Sequence, residues 1–304
     1  MSKIITVFGA TGNQGGSVIR AILADHELSA SFKIRGITRD PTKPAAQKLT
    51  SMGVEMTRAD LSSIESINSV VKDAHTVFLV TNYWETVSRD IETKQGKNVT
   101  EAAKNAGVSH LIFSSLIDVT EASKGALPNV PHFDGKAEIE RYIRESRVPA
   151  TFVMPGYFMS NLFSSFQKTA DGSYQMFLPV SDKARFPLFD VEDTGKFVTA
   201  VIKNRDTVLG KNIKEAAAYY SPSQIVSEFT EATGKPASWA QIPDDQWKGF
   251  LPPAVAQEYL ENFKLLEGAG YYAGAELKES LDLVGNGVTS WKEFATRNAA
   301  KFSS

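Results

Sequence analysis

The chain has 304 residues with 42% hydrophobic and 22% charged side chains, an ordinary globular composition, and its lack of cysteine excludes disulfides and thiolate metal sites. A net charge of -2 gives no cationic surface for a phosphate backbone, so we expect no direct contact with nucleic acid. No run of residues reads as a signal peptide or membrane span, so we predict a cytoplasmic protein with no membrane contact and with the nucleus as a second location.

The first predicted element is a buried strand that leads into a glycine-rich turn. Ile4, Ile5, Val7 and Phe8 form an apolar run with little alternation, which is typical of a parallel strand covered on both faces. Gly9, Gly12 and Gly15 follow at GxxGxxG spacing. In order, they allow a sharp turn, a close approach of backbone to a pyrophosphate, and close packing of a helix on the strand.

A helix is predicted to begin after this turn, near Asn13 or Gln14. Its first N–H groups have no partners within the helix, and the helix dipole is positive at this end. The sequence therefore predicts a nucleotide phosphate site made of backbone, and a plain tight turn is the alternative.

The second predicted strand, residues 33–38, ends at Arg39, where a protein selective for NAD would place an acidic residue. A guanidinium matches a phosphate bidentately, so Arg39, with help from Lys43, favours NADP(H) as the cofactor. The alternative is a solvated arginine at the end of a strand.

The rest of the first half alternates between strands and helices. The further predicted strands are residues 54–57, 76–81, 110–114 and 150–154. The predicted helices are residues 44–52, 64–71, 92–105 and 133–145. This alternation predicts an α/β fold, a Rossmann-type doubly wound parallel sheet with ligands beyond the carboxyl ends of its strands.

The second half is more irregular, and we predict a smaller, mostly α-helical domain, residues 157–304, that caps the cleft of the Rossmann domain, residues 1–156. A helix over residues 190–203 is expected to return to the Rossmann domain. Capping-box spacing at Ser221 and Ser290 predicts two helix starts. The remaining expected elements are strands at 174–178 and 184–188 and helices at 244–250 and 253–266.

Four segments together carry a resemblance: GATGNQGGSV, TRDP, VTNYWE and PHFDGK. Over about residues 3–161 the chain resembles the NmrA-like family of atypical short-chain dehydrogenases, and most closely its NADP-sensing branch. The resemblance implies an NADP-binding Rossmann domain. It also implies that the protein is a regulator that reports the redox state of the nicotinamide pool through a protein partner, such as a transcription factor. A minority of the family are suspected reductases of small-molecule substrates.

The resemblance further implies cofactor contacts at the pyrophosphate, at the 2′-phosphate and beside the cofactor. These are, in order, Gly9, Thr11, Gly12, Asn13, Gln14 and Gly15; Arg39; and Thr81, Asn82 and Lys94. The residues themselves add Asp60 and Leu61, Tyr83, and Pro155 and Tyr157 at other strand ends, and Lys136 on the predicted helix 133–145. Asp60 has an alternative as the cap of a helix that begins near Ser62 or Ser63.

Catalysis depends on the segment from His132 to Lys136. A catalytic short-chain dehydrogenase has a Tyr proton donor four residues before a Lys, with a Ser that orients the substrate carbonyl. Here Lys136 is present, Ser114 or Ser115 stands where the Ser is expected, and His132 replaces the Tyr. His132 is therefore either a structural or cofactor-contact residue or an unusual proton donor beside Lys136.

Other chemistries find no pattern. The sequence has no GxSxG turn and no P-loop lysine, and its four histidines are not spaced for a metal site, so we predict no metal. Two functions remain: a regulatory NADP(H) sensor, and an NADPH-dependent reductase of a small carbonyl, imine or quinone held under the aromatic segment 157–166. The missing Tyr favours the sensor, so efficient enzymatic activity is not expected.

Overall fold

A computed structural model describes residues 2–303 of the chain. Its strands, in chain order, are β1 (Lys3–Val7), β2 (Phe32–Thr38), β3 (Glu55–Arg58), β4 (Thr76–Leu79), β5 (His110–Ser114), β6 (Ala150–Pro155), β7 (Tyr157–Phe158), β8 (Phe166–Lys168), β9 (Tyr174–Leu178), β10 (Phe186–Phe189), β11 (Asn212–Glu215), β12 (Ala218–Tyr220) and β13 (Ala237–Gln241).

Its α-helices are α1 (Asn13–Ala24), α2 (His26–Ser31), α3 (Pro44–Ser51), α4 (Ile64–Val71), α5 (Arg89–Asn105), α6 (Val119–Ala122), α7 (Pro131–Ser146), α8 (Thr194–Lys203), α9 (Arg205–Val208), α10 (Pro222–Thr233), α11 (Asp244–Lys248), α12 (Pro253–Glu267), α13 (Lys278–Val284) and α14 (Trp291–Arg297). In the described part of the chain, no helix combines the length and apolar character that a membrane span requires.

The chain forms two compact units. The first contains residues 1–116, 132–154 and 191–213, and the second contains residues 117–131, 155–190 and 214–304. The predicted domain boundary at residue 156 stays a prediction.

The first unit is organised around a seven-stranded sheet with the strand order β11-β6-β5-β4-β1-β2-β3. The neighbouring pairs β1–β2, β1–β4, β2–β3, β4–β5 and β5–β6 are parallel. This is the doubly wound order, in which the chain reverses direction across the sheet between β1 and β4. The predicted fold class is confirmed, and β11, a four-residue strand with no clear sequence signal, is an addition to it.

Most predicted elements of the first half are confirmed, and two have the predicted bounds, Ile64–Val71 and His110–Ser114. Their side chains explain why. Ser63 caps α4 by accepting a hydrogen bond from the Ser66 N–H, and all five residues of β5 are buried, as expected for a strand covered on both faces.

Helix α8 packs tightly on α1 in the first unit. A Cβ added at Gly195 would lie 2.4 Å from Ser17 O, so only glycine allows this approach. The predicted start of this helix at residue 190 is wrong, because residues 191–193 form a 3-10 turn and α8 begins at Thr194. The Asp190 carboxylate belongs to the second unit and pairs with Arg297 of the same unit.

The second unit contains two three-stranded sheets, β12-β10-β7 and β13-β9-β8, together with most of the later helices. The two capping boxes predicted at Ser221 and Ser290 are present. Strand β9 has the predicted bounds. Strand β13 was not predicted, and neither were β7, β8 and β12, which have only two or three residues each. Short strands have too few residues for a period to be read.

Candidate functional site

The glycine-rich turn after β1 has the geometry that its spacing predicts. Gly9 has a left-handed φ of 65°, which permits the sharp turn. A Cβ at Gly15 would lie 2.3 Å from Gly9 O, so this glycine lets α1 pack against the end of β1. At Gly12 a Cβ would meet only Gly9 O, at 3.3 Å, so the space around this position is left for a ligand.

The amino end of α1 is open. Its N-cap is Gly12, which has no side chain to cap the helix, and Thr11, Gly12 and Asn13 are exposed. The first-turn N–H groups and the positive end of the helix dipole are therefore available to an anion. This turn fits a pyrophosphate by its backbone.

The Gln14 side chain ties this turn to β5. Ser114 Oγ donates a hydrogen bond of 2.8 Å to Gln14 Oε1. The neighbouring Ser115 points elsewhere, and its Oγ donates a 2.6 Å bond to Glu140 Oε2. Ser114 is thus the serine that lies beside the glycine-rich turn, and its proton is already donated to a protein group.

Arg39 follows β2 and forms an ion pair with Glu85. Both side chains are exposed to solvent, at 67% for Arg39 and 41% for Glu85. Glu85 ends a 3-10 turn, Tyr83–Glu85, that follows β4. No local pattern in the sequence indicates this partner, which is 46 positions further along the chain.

Asp60 and Leu61 follow β3. Asp60 is exposed, and its Oδ1 accepts a 2.8 Å bond from the Ser62 N–H. The N-cap of α4 is Ser63, so the alternative role predicted for Asp60, as the cap of this helix, is wrong. Leu61 packs against the core of the first unit. Asp60 therefore stays a candidate for the adenine side of the site.

Thr81, Asn82 and Tyr83 follow β4, next to the point where the sheet order reverses. Asn82 is exposed, whereas Thr81 and Tyr83 are only 4% exposed. Lys94 is an exposed residue on α5. Of these, Asn82 and Lys94 present accessible polar groups.

Lys136 is bonded entirely within the first unit. Its Nζ donates to Thr81 O at 3.1 Å, to Thr81 Oγ1 at 2.8 Å and to Glu92 Oε1 at 2.7 Å. Thr81 Oγ1 also donates to Glu92 Oε1, at 2.7 Å. An ammonium has three N–H donors, so all three have acceptors here.

Glu92 was not predicted as a residue of the site, although its place in the sequence pattern of α5 indicates a buried carboxylate. Its side chain is fully buried, and it lies on the face of α5 that also buries Gly96, Val99 and Ala103. A charged residue in a buried stripe at helical spacing indicates a buried partner. Within the described residues, Glu92 Oε2 has no hydrogen-bond partner.

His132, at the position of the missing Tyr, lies among aromatic rings. Its ring centroid is 5.0 Å from that of Trp84, 5.9 Å from that of Tyr83 and 4.9 Å from that of Phe133. These are the distances of packed aromatic groups.

Pro155 and Tyr157 belong to the second unit. The Tyr157 ring packs against Phe186 and Phe263 at 5.4 and 6.0 Å, and burial raises the pKa of its phenol well above the ordinary value. In the same unit, Phe166 stacks on Phe229 at 4.1 Å. These rings of segment 157–166 form core, and a phenol as buried as Tyr157 is a poor proton donor.

The sheet order and the open glycine-rich turn define a Rossmann-type nucleotide-binding protein. Residues 1–295 match the model of the NmrA-like family. The chain belongs to this family, whose members bind NAD(P), and the predicted family and cofactor class are confirmed at that level.

Two relatives illustrate the similarity. An NmrA-like family domain-containing protein of Dictyostelium discoideum is 30% identical over 80% of this chain and 81% of its own length. The NmrA-like family domain-containing oxidoreductase ptmS of Penicillium ochrochloron is 29% identical over 96% of this chain and 92% of its own length.

Two solved structures share the fold. NmrA, a negative transcriptional regulator in complex with NADP, has a TM-score of 0.82 and 23% identity, covering 97% of this chain and 94% of its own. The NADPH-dependent quinone oxidoreductase QOR2 of Escherichia coli, complexed with NADPH, has a TM-score of 0.78 and 21% identity, covering 96% and 99%. One neighbour is a regulator and the other an enzyme, so the fold alone does not decide between the two functions.

Proposed function

We propose that this protein is a regulatory NADP(H)-binding protein that signals the state of the nicotinamide pool to a protein partner, without efficient dehydrogenase chemistry. The bonding of Lys136 supports this most strongly. Its three donors are taken by Thr81 and Glu92. A dehydrogenase uses this lysine to hold the ribose and to lower the pKa of the proton donor, and a buried carboxylate opposes the second role by neutralising its charge.

The other two residues at catalytic positions, His132 and Ser114, also contact other side chains of the protein. His132 packs against Trp84, and Ser114 donates its proton to Gln14. The glycine-rich turn, in contrast, leaves its N–H groups open. The first unit is thus built to bind a dinucleotide, with its acid–base groups engaged elsewhere. We place its action in the cytoplasm, and in the nucleus where its partner is a transcription factor.

The second candidate is an NADPH-dependent reductase of a small carbonyl, imine or quinone. It is favoured by the retention of Ser114 and Lys136 and by the oxidoreductase names of several relatives. Against it stands the use of buried rings of segment 157–166 as core in the second unit.

Hydrogen exchange with and without cofactor tests the regulatory role. We expect NADPH and NADP⁺ to bind reversibly and to change the exchange of backbone amides in residues 82–89 and 116–133, the segments proposed to alter the partner surface. A variant that keeps the fold but loses the phosphate site, Gly12→Ala, is the control. Tight binding of NADPH with no change in either segment would contradict a sensor that signals through them.

A further inference from the structure

Arg39 and Glu85 meet beyond the carboxyl end of β1. They follow β2 and β4, the two strands that flank β1 in the sheet. Their ion pair places a carboxylate on the guanidinium that is the candidate reader of the 2′-phosphate. The other nearby carboxylate, Asp40, is turned to Thr42, since its Oδ1 accepts bonds of 2.9 and 2.6 Å from the Thr42 N–H and Oγ1.

We propose that Glu85 sets the selectivity between NADP and NAD by competing with the 2′-phosphate for Arg39. This proposal rests on the proposed function in one respect, namely that the protein binds NADP with Arg39 in contact with the 2′-phosphate. Glu85 is therefore a specificity-determining residue on the strand-β4 side of the site, although the sequence position that normally decides this choice follows β2.

The competition acts on one cofactor only. A phosphate monoester carries roughly two negative charges at neutral pH, so it must displace Glu85 from the guanidinium or suffer its repulsion. NAD has a neutral 2′-hydroxyl, which coexists with the intact pair. Because an exposed ion pair is worth up to about 1 kcal/mol, the carboxylate weakens NADP binding by up to about fivefold.

The ion pair between Arg39 and Glu85 also links the choice of cofactor to an exposed segment of the protein surface. Glu85 lies in the segment 83–91, which exposes Trp84, Val87 and Ile91. Val87 has a left-handed φ of 50°, a strained conformation for a β-branched residue. The pair with Arg39 is one contact that holds this segment in place, so NADP, by taking Arg39, releases the segment, and NAD does not.

The test is a calorimetric titration of NADP and NAD into the full chain and two variants. Glu85→Gln is expected to lower the Kd for NADP about threefold to fivefold and to leave the Kd for NAD unchanged. The matched control is Glu55→Gln, which removes another exposed carboxylate of the first unit that pairs with an arginine, Arg35, with the same change in net charge. It is expected to leave both affinities unchanged.

Ionic strength and hydrogen exchange provide independent readouts. The advantage of Glu85→Gln should shrink when salt rises from about 0.05 M to about 0.5 M, because exposed charges are then screened. In the wild type, NADP should speed amide exchange in residues 83–91 more than NAD does, and Glu85→Gln should remove this difference.

The outcomes separate the two proposals. An NADP-to-NAD selectivity that is the same in the wild type and Glu85→Gln overturns the role of Glu85, while the regulatory function stands. An equal gain in Glu55→Gln also overturns it, because the effect would then be one of net charge. A wild type that binds neither dinucleotide overturns the proposed function itself.

Discussion

Lys136 Nζ lies 2.7 Å from Glu92 Oε1, with the Lys136 side chain 12% exposed and the Glu92 side chain fully buried. This pair joins α7 to α5 and, through Thr81, to the end of β4. It therefore links the helix that carries the dehydrogenase lysine to the loop that is expected to lie beside the cofactor. Its energetic and functional consequences can be tested separately.

Breaking one side of the pair is expected to destabilise the protein strongly. Lys136→Met leaves the Glu92 carboxylate buried without its cation, which costs about 3 to 5 kcal/mol of the free energy of unfolding. The double variant Lys136→Met/Glu92→Leu removes both charges and should recover most of this loss. Urea unfolding measures both values, and a loss below about 1 kcal/mol in Lys136→Met would contradict a buried pair.

Gly12 and Gly15 of the glycine-rich turn should respond differently to substitution by alanine. At Gly12 the added Cβ meets only Gly9 O, at 3.3 Å, a tight contact that a small shift relieves, so Gly12→Ala should lose little stability but should lose dinucleotide binding. At Gly15 it would lie 2.3 Å from the same oxygen, so Gly15→Ala should lose about 1 to 3 kcal/mol of stability. Thermal unfolding and cofactor titration of both variants check this. Normal NADP binding by Gly12→Ala would place the phosphates elsewhere.

His110 is expected to make stability depend on pH. Its ring is 1% exposed, and Nε2 lies 2.9 Å from Thr151 Oγ1. Since Thr151 donates its own proton to Val208 O, the hydroxyl oxygen accepts a hydrogen bond from His110 Nε2–H. Burial, with a smaller effect from Arg205, lowers the pKa of His110 to about 3.

The sign of this dependence follows from linkage. In the unfolded chain the pKa of His110 is about 6.5, so acid protonates the unfolded state first, and the stability present above that pH is lost as pH falls. Between pH 8 and pH 5 the loss is about 2 kcal/mol. His110→Gln should remove it, and the exposed His26→Gln should not. A wild-type advantage over His110→Gln that is constant with pH would show an unshifted histidine.

The sequence predicted the first unit well because its signals are local. Periodic apolar runs, the Ser63 cap and the glycine spacing are each contained in a few neighbouring residues. The second unit was harder, since strands such as β7 and β12 have two or three residues and depend on their partners. No local pattern marks them.

The sequence predicted several residues of the site but not the side chains with which they pair. Arg39, Lys136 and the glycines were identified from motifs, but their partners Glu85 and Glu92 lie 46 and 44 positions away from Arg39 and Lys136. A carboxylate that neutralises a functional cation is a product of the tertiary fold. The pairing with Glu92 is the main support for our proposal that Lys136 does not act in catalysis.

The most direct test of the central claim is NADPH consumption by the wild type with aldehydes, ketones, imines and quinones. We expect the wild type to bind NADPH and to oxidise it no faster than background. The double variant His132→Tyr/Glu92→Gln restores the Tyr and frees the charge of Lys136, so it should gain weak reductase activity. A further Lys136→Ala should remove that activity. Wild-type turnover that is abolished by His132→Ala or Lys136→Ala, with NADPH binding retained, would contradict the account and make the protein an enzyme.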